Sequence, residues 1–175
     1  LYIHRPKQRI GETMSGIINT VGARSGIVGS DVYPLGHVIQ TLSSTRVGAF
    51  DTTNTSATLI TDLDVDIIPK FSSSKILVIA SLGYVDTSGT NSGDALTLHL
   101  CNDSDVIAEV VNLGYGMAIY LTCGTSISKL DSPATTSSIN YNVKIRSRLG
   151  ANVRVDYHAG GSASGSSIIA MEIAQ

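Results

Sequence analysis

Residues 139–146 read INYNVKIR, with apolar side chains at every second position from Ile139 to Ile145 and polar ones between them. Successive side chains of a β-strand point to opposite sides, so this period of two predicts a strand with one face in a core and one in water. Residues 62–67, DLDVDI, alternate in the same way and place three aspartates on the wet side. Each stretch therefore predicts a strand that covers one side of a core.

Short β-branched runs continue from residue 37 to Gln175, separated at about 8 to 14 residues by clusters of Ser, Thr, Asn, Asp and Gly. This pattern is typical of an antiparallel sandwich or barrel, and no helix of any length is indicated. Residues 102–104 read as a hairpin turn. Strands are expected at 37–43, 57–68, 75–85, 94–101, 105–111, 116–122, 138–146, 152–158 and 166–174. The predicted fold class is all-β, an antiparallel β-sandwich of jelly-roll type with an extended N-terminal arm.

The composition excludes some classes of partner. Charged residues make up 15% of the 175 residues, against about 25% in an average soluble domain. The formal net charge of −2 gives no basic field that would attract nucleic acid or an anionic membrane. No apolar run approaches the roughly 18 residues of a membrane span. Nucleic-acid binding and membrane insertion are therefore not expected.

The N-terminal part follows neither the helical nor the strand period. Residues 14–36 carry five glycines, and a small polar residue, a glycine and two β-branched residues occur in them twice, ten residues apart. Such a segment cannot bury these apolar residues against itself, so we expect an anchoring arm that docks in a groove on another surface or subunit. The alternative is an ordinary arm that lies on its own domain. The apolar residues of the two hooks are Ile17, Ile18, Ile27 and Val28.

The first thirteen residues are expected to lie outside the folded protein. Residue 1 is Leu, whereas Met14 opens the run MSGIIN. We expect Met14 to be the biological initiator and residues 1–13 to be an upstream in-frame translation or a processed remnant. The expected organisation is then an arm at 14–36 and a sandwich domain at 37–175.

Residues 76–80, ILVIA, are apolar on both faces of the expected strand. A strand of this kind fits the middle of a sheet that is covered twice, by the opposing sheet and by a second subunit. The run therefore indicates an oligomer.

Three carboxylates at a period of two, Asp62, Asp64 and Asp66, could hold a hard cation through oxygen ligands. A calcium loop needs a glycine at its sixth position and a distal Glu, whereas the sixth residue here is Ile67. A solvated or ion-paired face, opposite Lys144 and Arg146 of the other alternating strand, is the preferred interpretation. These aspartates remain weak metal candidates.

Four basic residues alternate on faces that we expect to be exposed: Lys144, Arg146, Arg148 and Arg154. Stacking on nucleic-acid bases would require aromatic residues interleaved on the same faces, and the sequence places none there. Ion-paired surface is the prediction for this set.

Two residue pairs share a strand face and could each join a metal or catalytic site: His99 with Cys101, and Asp156 with His158. Neither pair has a third member at a recognisable spacing, so structural roles are expected. Cys101 and Cys123 are too few for a disulfide framework, and buried free thiols are predicted, with a disulfide as the alternative. The sequence has no nucleophile elbow and no phosphate loop, so neither enzyme activity nor a cofactor is expected.

The seven tyrosines, with no tryptophan, leave a case for sugar binding, in which aromatic rings on a sandwich rim stack on pyranose rings. The residues concerned are Tyr84, Tyr115 and Tyr120. A role in the core or in an interface is the preferred alternative, since tyrosines serve interfaces equally well.

Several stretches together resemble a β-domain that recurs in bacteriophage virion proteins, especially those of aquatic phages. They are GHVIQ at 36–40, IIP at 67–69 with SSSKILV at 72–78, YNVK at 141–144, VRVD at 153–156 and SSIIAMEI at 166–173. The opening at 14–26 is similar to the start of some of these phage proteins, so the likeness spans nearly all of 14–175. The resemblance implies a virion protein such as a tail fibre, adhesin or capsid decoration, commonly trimeric, with no catalytic residues to carry over.

The sequence thus leads to a non-enzymatic structural protein of a phage virion, a fibre or a capsid decoration protein. We expect a homotrimer that the arm anchors to other virion proteins such as capsid, portal or tail. The alternative is a lectin-like, receptor-binding module that recognises host surface glycan through rim loops such as 86–93, 112–115 or 159–165.

Overall fold

The structure, a computed structural model, describes residues 33–88, 93–115, 121–157 and 165–175. The chain divides into two units, residues 1–33 and residues 34–175, and the fold described below is that of the second. The expected remnant at 1–13 and the expected arm at 14–36 lie outside the described residues as far as residue 32. The roles of Ile17, Ile18, Ile27 and Val28 therefore stay predictions.

Ten β-strands make up the described residues, which include no helix. In chain order they are β1 (Val38–Val47), β2 (Phe50–Thr52), β3 (Thr58–Ile67), β4 (Lys75–Thr87), β5 (Leu96–Asn102), β6 (Asp105–Leu113), β7 (Leu121–Asp131), β8 (Ile139–Ser147), β9 (Val153–Val155) and β10 (Gly165–Ile173). All of their pairings are antiparallel.

The strands form two sheets. The first sheet contains β1, β10, β4 and β7 side by side in that order. Beyond the end of β10, the short strand β9 pairs with β4, and β2 pairs with β9. The second has the order β3, β8, β5, β6. Consecutive strands lie in the same sheet at β1–β2, β5–β6 and β9–β10, and elsewhere the chain alternates between the two sheets, as in a jelly roll. The predicted all-β sandwich of jelly-roll type is confirmed.

The core lies between the sheets and follows the alternation of the sequence. Ile139, Tyr141, Val143 and Ile145 of β8 all point inward and are buried, as the alternation predicts. On β4 the buried residues are those at alternate positions from Ile76 to Leu82, so Leu77 and Ile79 lie on the outer side. The outer side of this strand is therefore apolar as well.

A buried ion pair occupies the break between β9 and β10. Arg46 of β1 contacts Oδ2 of Asp156 through Nη1 at 3.2 Å, and the two side chains are 6% and 0% exposed. Ser166 donates a 2.9 Å hydrogen bond to the other carboxylate oxygen of Asp156. Because both ions are out of water, each depends on the other for its stability. The cluster thus connects the end of β9 with β10 and β1 in the first sheet.

A bulge interrupts β3 between Leu59 and Asp64, where pairing with β8 lapses and Asp62 takes a φ of 62°. The backbone carbonyl groups of Thr61 and Asp62 at this bulge accept hydrogen bonds from side chains of β1. Arg46 Nε donates to the carbonyl of Thr61 at 2.7 Å, and Ser44 donates to that of Asp62 at 3.3 Å. The side chains of β1 thus close the edge of the sandwich between the two sheets.

The two ends of the jelly roll differ in what they carry. At the entry end, the chain enters the jelly roll beside its last residues, since Gly36 N donates to the carbonyl of Ala174 at 2.9 Å. At the rim end, Ser147 N donates to Asn54 O and Arg148 N to Ala95 O, both at 2.8 Å, which gathers the β2–β3, β4–β5 and β8–β9 loops. Strand β8 runs from one end to the other, a distance of roughly 26 Å at 3.3 Å per residue.

The strand predictions are mostly confirmed, with three differences. Of the expected strand at 152–158, β9 covers only Val153–Val155 among the described residues. Residues 116–120 of the expected strand at 116–122 lie outside the described residues, and its last two residues open β7, which continues to Asp131 through LTCGTSISKLD, in which no clean alternation marks a strand. Strand β2 was not predicted, since three residues carry no period. The hairpin turn at 102–104 is confirmed, with Asp103 at a φ of 51° between β5 and β6.

Candidate interaction surfaces

The three aspartates of β3 point away from the core, as predicted, and two of them lie opposite asparagines. In the register of the second sheet, Asp64 lies opposite Asn142 and Asp66 opposite Asn140. The amide of Asn140 donates to Oδ2 of Asp64 at 2.8 Å and to Oδ1 of Asp66 at 2.9 Å. One neutral amide therefore bridges two carboxylates, and Asp64 and Asp66 lie opposite asparagines rather than opposite Lys144 and Arg146.

Asp62 lies in the bulge, where β3 does not pair with β8. No group of three or more His, Cys, Asp and Glu in the described ranges could hold a metal ion. The expectation that the chain binds no metal and no cofactor stays a prediction.

Two of the four basic residues, Arg148 and Arg154, contact aromatic rings. The guanidinium of Arg148 lies 4.8 Å from the ring centroid of Tyr115, and that of Arg154 lies 4.2 Å from the ring centroid of Tyr157. Arg154 also forms an ion pair with Asp86 at 2.6 Å. Because a stacked guanidinium gains from the ring electrons, these contacts fix both arginines.

His99 and Cys101 share the outer side of β5, as predicted, and neither is set up for chemistry. Burial lowers the pKa of His99, with Arg146 and Lys144 adding to the effect and Glu109 opposing it. Neither ring nitrogen has a hydrogen-bond partner among the described residues, whereas a ligand or base imidazole is normally oriented by one. Burial also raises the pKa of Cys101, which keeps the thiol protonated and unreactive.

The remaining pairs proposed from sequence are not joined. Asp156 is committed to Arg46 and Ser166 in the buried ion pair, while His158 lies outside the described residues. Cys101 and Cys123 are both free thiols, and burial raises the pKa of Cys123 as well.

The tyrosines proposed for sugar binding occupy different environments. Tyr84 is half-buried and donates a 2.7 Å hydrogen bond to Asp86, next to the Arg154 ion pair. Tyr115 is 58% exposed at the rim end and carries the guanidinium of Arg148. Tyr120 lies outside the described residues. Among them, Tyr115 is the exposed ring that a ligand could reach.

A buried carboxylate that the sequence interpretation missed fastens the entry end. Glu172 is fully buried, and its oxygens accept hydrogen bonds from Lys70 N at 2.8 Å, Phe71 N at 3.3 Å and Gln40 Nε2 at 2.6 Å. The signal was present in the sequence, because Glu172 follows the same alternation as Ile168 and therefore faces the core. Glu172 thus ties the β3–β4 loop to β1 and β10, together with Gln40 Nε2, which also donates to the carbonyl of Ile68 at 2.7 Å.

The outer sides of the two sheets have opposite chemistry. On the second sheet the outward positions include Asp64, Asp66, Lys144, Arg146 and Glu109, and we name this side the charged face. On the first sheet we name the outer side along the length of β10 the uncharged face. Its outward side chains are those of Val38, Thr41, Ser43, Thr45 and Val47 on β1, Ser167, Ile169, Met171 and Ile173 on β10, Leu77, Ile79 and Ser81 on β4, and Ser126, Ser128 and Leu130 on β7.

No family of proteins matches the chain, and no curated protein is similar to it. Within the described ranges, no helix is long and apolar enough to cross a membrane.

Solved structures do resemble the chain loosely. A protein of the Bacillus endospore appendages, a family of disulfide-linked pili, is 12% identical over 84% of this chain and 98% of that one, with a TM-score of 0.35. A chain of infectious bursal disease virus, Gt strain, is 12% identical over 90% of this chain and 43% of its own, with a TM-score of 0.41. The VP2 subviral particle of the same virus is 13% identical over 90% of this chain and 42% of its own, with a TM-score of 0.37.

The chain therefore spans less than half the length of these two viral chains. The similar structures are structural proteins of a virus and of a pilus. With TM-scores of 0.35 to 0.41, this likeness concerns the general fold and not the function.

Proposed function

We propose that this chain is a structural protein of a bacteriophage virion, a fibre or capsid decoration protein, which assembles as a homotrimer and is anchored by residues 14–36. The observation that supports the proposal most is the polarity of the jelly roll. The chain enters at Gly36, beside Ala174, and the rim loops with Tyr115 lie at the other end, roughly 26 Å away along β8. A module attached through the entry end would present its rim end to the surroundings.

The sequence resemblance supports the same function. Three of the stretches that resemble phage virion proteins fall on neighbouring strands of the jelly roll, since GHVIQ at 36–40 opens β1, SSSKILV at 72–78 opens β4 and SSIIAMEI at 166–173 forms β10. These three strands are neighbours in the first sheet. The likeness therefore includes three neighbouring strands of one sheet, and YNVK at 141–144 extends it to β8 of the second sheet.

The mechanism of such a protein is geometric. Residues 14–36 supply two apolar hooks that need a groove elsewhere, and the trimer multiplies whatever contact the rim makes. Three linked copies bind a surface with far higher avidity than one, because the second and third contacts are intramolecular.

Incorporation into particles tests the proposal. We expect a chain that lacks residues 14–30 to fold but to be absent from purified particles. The variant Ile17→Ser with Ile18→Ser should show the same loss, and the matched control Asn19→Ala with Thr20→Ala should be incorporated normally. Normal incorporation of the deletion variant would refute the anchor.

A second function, recognition of host surface glycan, is favoured by the exposed ring of Tyr115 at the rim end. Aromatic rings bind the apolar faces of sugars, and the guanidinium of Arg148 could donate hydrogen bonds to hydroxyl groups beside it. A glycan array tests this directly. Binding that is lost in Tyr115→Ala and kept in Tyr115→Phe would establish the lectin function. If the wild type binds no glycan, the lectin function is refuted and only the architectural role stands.

A further inference from the structure

We infer that the uncharged face is the surface on which copies of this chain pack on one another. This inference deepens the proposed function and rests on it, because the trimer requires a self-association surface. The partner is a second copy of the chain.

The centre of this face is apolar. Leu77 of β4 lies opposite Leu130 of β7 on one side and Met171 of β10 on the other, and Ile79 and Ile169 form the next row. Leu130 is 46% exposed, and the other four are partly exposed. A soluble sheet normally places polar residues on the side that faces water, so a row of this kind in the middle of a sheet indicates a covered surface.

The border of the face consists of hydroxyl groups and not of charges. Ser43, Thr41, Ser128 and Ser126 surround the apolar rows. Charges begin only at its limits, with Lys75 towards the entry end and the Asp86–Arg154 ion pair towards the rim end. A partner that packs on this border has no ion to desolvate, and depletion of charge is what distinguishes the centre of protein interfaces.

The chemistry favours another copy over a charged partner. The uncharged face has no charge to complement, whereas the charged face carries both signs. The same chemistry on neighbouring copies matches it, with apolar rows against apolar rows and hydroxyls against hydroxyls, when three copies turn this face towards a common threefold axis.

The size of the face fits self-association. Four strands about 4.8 Å apart and about nine residues long cover roughly 570 Å² of sheet. Three such faces around one axis together reach about 1,700 Å², and specific, stable interfaces bury roughly 1,200–2,000 Å². The area is thus enough for an interface that forms at micromolar concentration and is sensitive to a single charge.

Sedimentation equilibrium of the full chain at 10–100 µM (about the concentration range of weak self-association) tests the inference. Leu77→Lys places a charge in the apolar centre, and we expect it to raise the dissociation constant at least about 100-fold while circular dichroism and thermal unfolding stay close to the wild type. The matched control is Leu59→Lys, because Leu59 is a 44% exposed leucine opposite Lys144 on the charged face. We expect the control to keep the wild-type mass.

A second variant guards against misfolding. Ser128 is exposed and lies opposite Ile79, so Ser128→Lys charges the border without removing an apolar side chain. It should weaken association by at least about tenfold. If the wild type is an oligomer and both variants keep its mass, the uncharged face is not the interface, although the oligomer stands. A wild type that sediments as a single chain would overturn both this inference and the trimer.

Discussion

The hydroxyl of Tyr141 donates a 2.7 Å hydrogen bond to Oδ2 of Asp131, and this contact joins the two sheets of the jelly roll. Tyr141 lies fully buried on β8 of the second sheet, and Asp131 is the last residue of β7 of the first. Asn102 donates to the same carboxylate oxygen at 2.8 Å, and Ser132 N donates to the other at 2.9 Å. The carboxylate thus gathers three segments of chain at the entry end.

Loss of this hydroxyl should destabilise the fold. We expect Tyr141→Phe to lower the free energy of unfolding by about 1.5–3 kcal/mol, because a buried hydrogen bond to a charged group is lost. Urea denaturation measures the change. Tyr115→Phe is the matched control, since Tyr115 is exposed, and it should change the free energy by less than about 0.5 kcal/mol. If Tyr141→Phe lowered the free energy of unfolding as little as the control does, the hydrogen bond of Tyr141 would contribute nothing to stability.

The same contact predicts a loss of stability at alkaline pH. Burial of Tyr141, with the hydrogen bond to Asp131 and the charge of that carboxylate, raises the pKa of the phenol far above its ordinary value of about 10. Below about pH 10 the phenol is protonated in both the folded and the unfolded chain, so this contribution is fully present. Above it the unfolded chain loses the proton that the folded chain keeps, and the free energy of unfolding falls by about 1.4 kcal/mol per pH unit.

Urea unfolding at pH 9 and at pH 11 (about one unit on either side of the ordinary tyrosine pKa) measures this dependence. The difference between the two values should be about 1 kcal/mol smaller in Tyr141→Phe than in the wild type. An equally steep fall in the variant would assign the alkaline loss to other groups.

The ion pair of Arg46 with Asp156 makes a separate prediction. Asp156→Asn keeps a residue type that tolerates the φ of 54° at this position but leaves the buried guanidinium of Arg46 without its counter-ion. We expect a loss of about 3–5 kcal/mol in the free energy of unfolding. The control Asp51→Asn removes an exposed carboxylate and should cost less than about 0.5 kcal/mol. A loss below about 1 kcal/mol in Asp156→Asn would contradict the account of this pair.

Calcium tests whether the acidic residues of β3 bind a metal ion or are satisfied by hydrogen bonds alone. The amide of Asn140 already bridges Asp64 and Asp66, so we expect millimolar Ca²⁺ or EDTA to leave the melting temperature of the wild type unchanged. Asn140→Ala should lower the free energy of unfolding by about 1–3 kcal/mol, because two neighbouring carboxylates lose their shared donor. Calorimetry with and without Ca²⁺ checks both points. A wild type that Ca²⁺ stabilises by several degrees would establish a metal site there.

The alternation in the sequence was sufficient to predict the framework of the fold. The inward positions of β3 and β8 follow from a period of two, and so does the outer apolar side of β4 at Leu77 and Ile79. Most of strand β7, residues 123–131, was missed in the prediction because an edge strand buries few side chains, and Ile127 is its one fully inward apolar residue among those whose burial is described. Periodicity reports burial, so it fails where burial is slight.

The contacts between strands could not be predicted in the same way. Alternation places Asp64 and Asp66 outward, but their partner Asn140 lies more than seventy residues away and depends on the register of β3 against β8. The pairing of Arg46 with Asp156 spans 110 residues and depends on the break between β9 and β10. A single sequence contains neither the register nor the break.

The central claim, that this chain acts as an anchored structural part of a phage virion, is tested most directly by a density map of the purified particle. The account predicts three jelly rolls about a common axis, with Gly36 and Ala174 at the end towards the particle and Tyr115 at the end away from it. Single copies, the reverse orientation or the absence of the protein from the particle would contradict it.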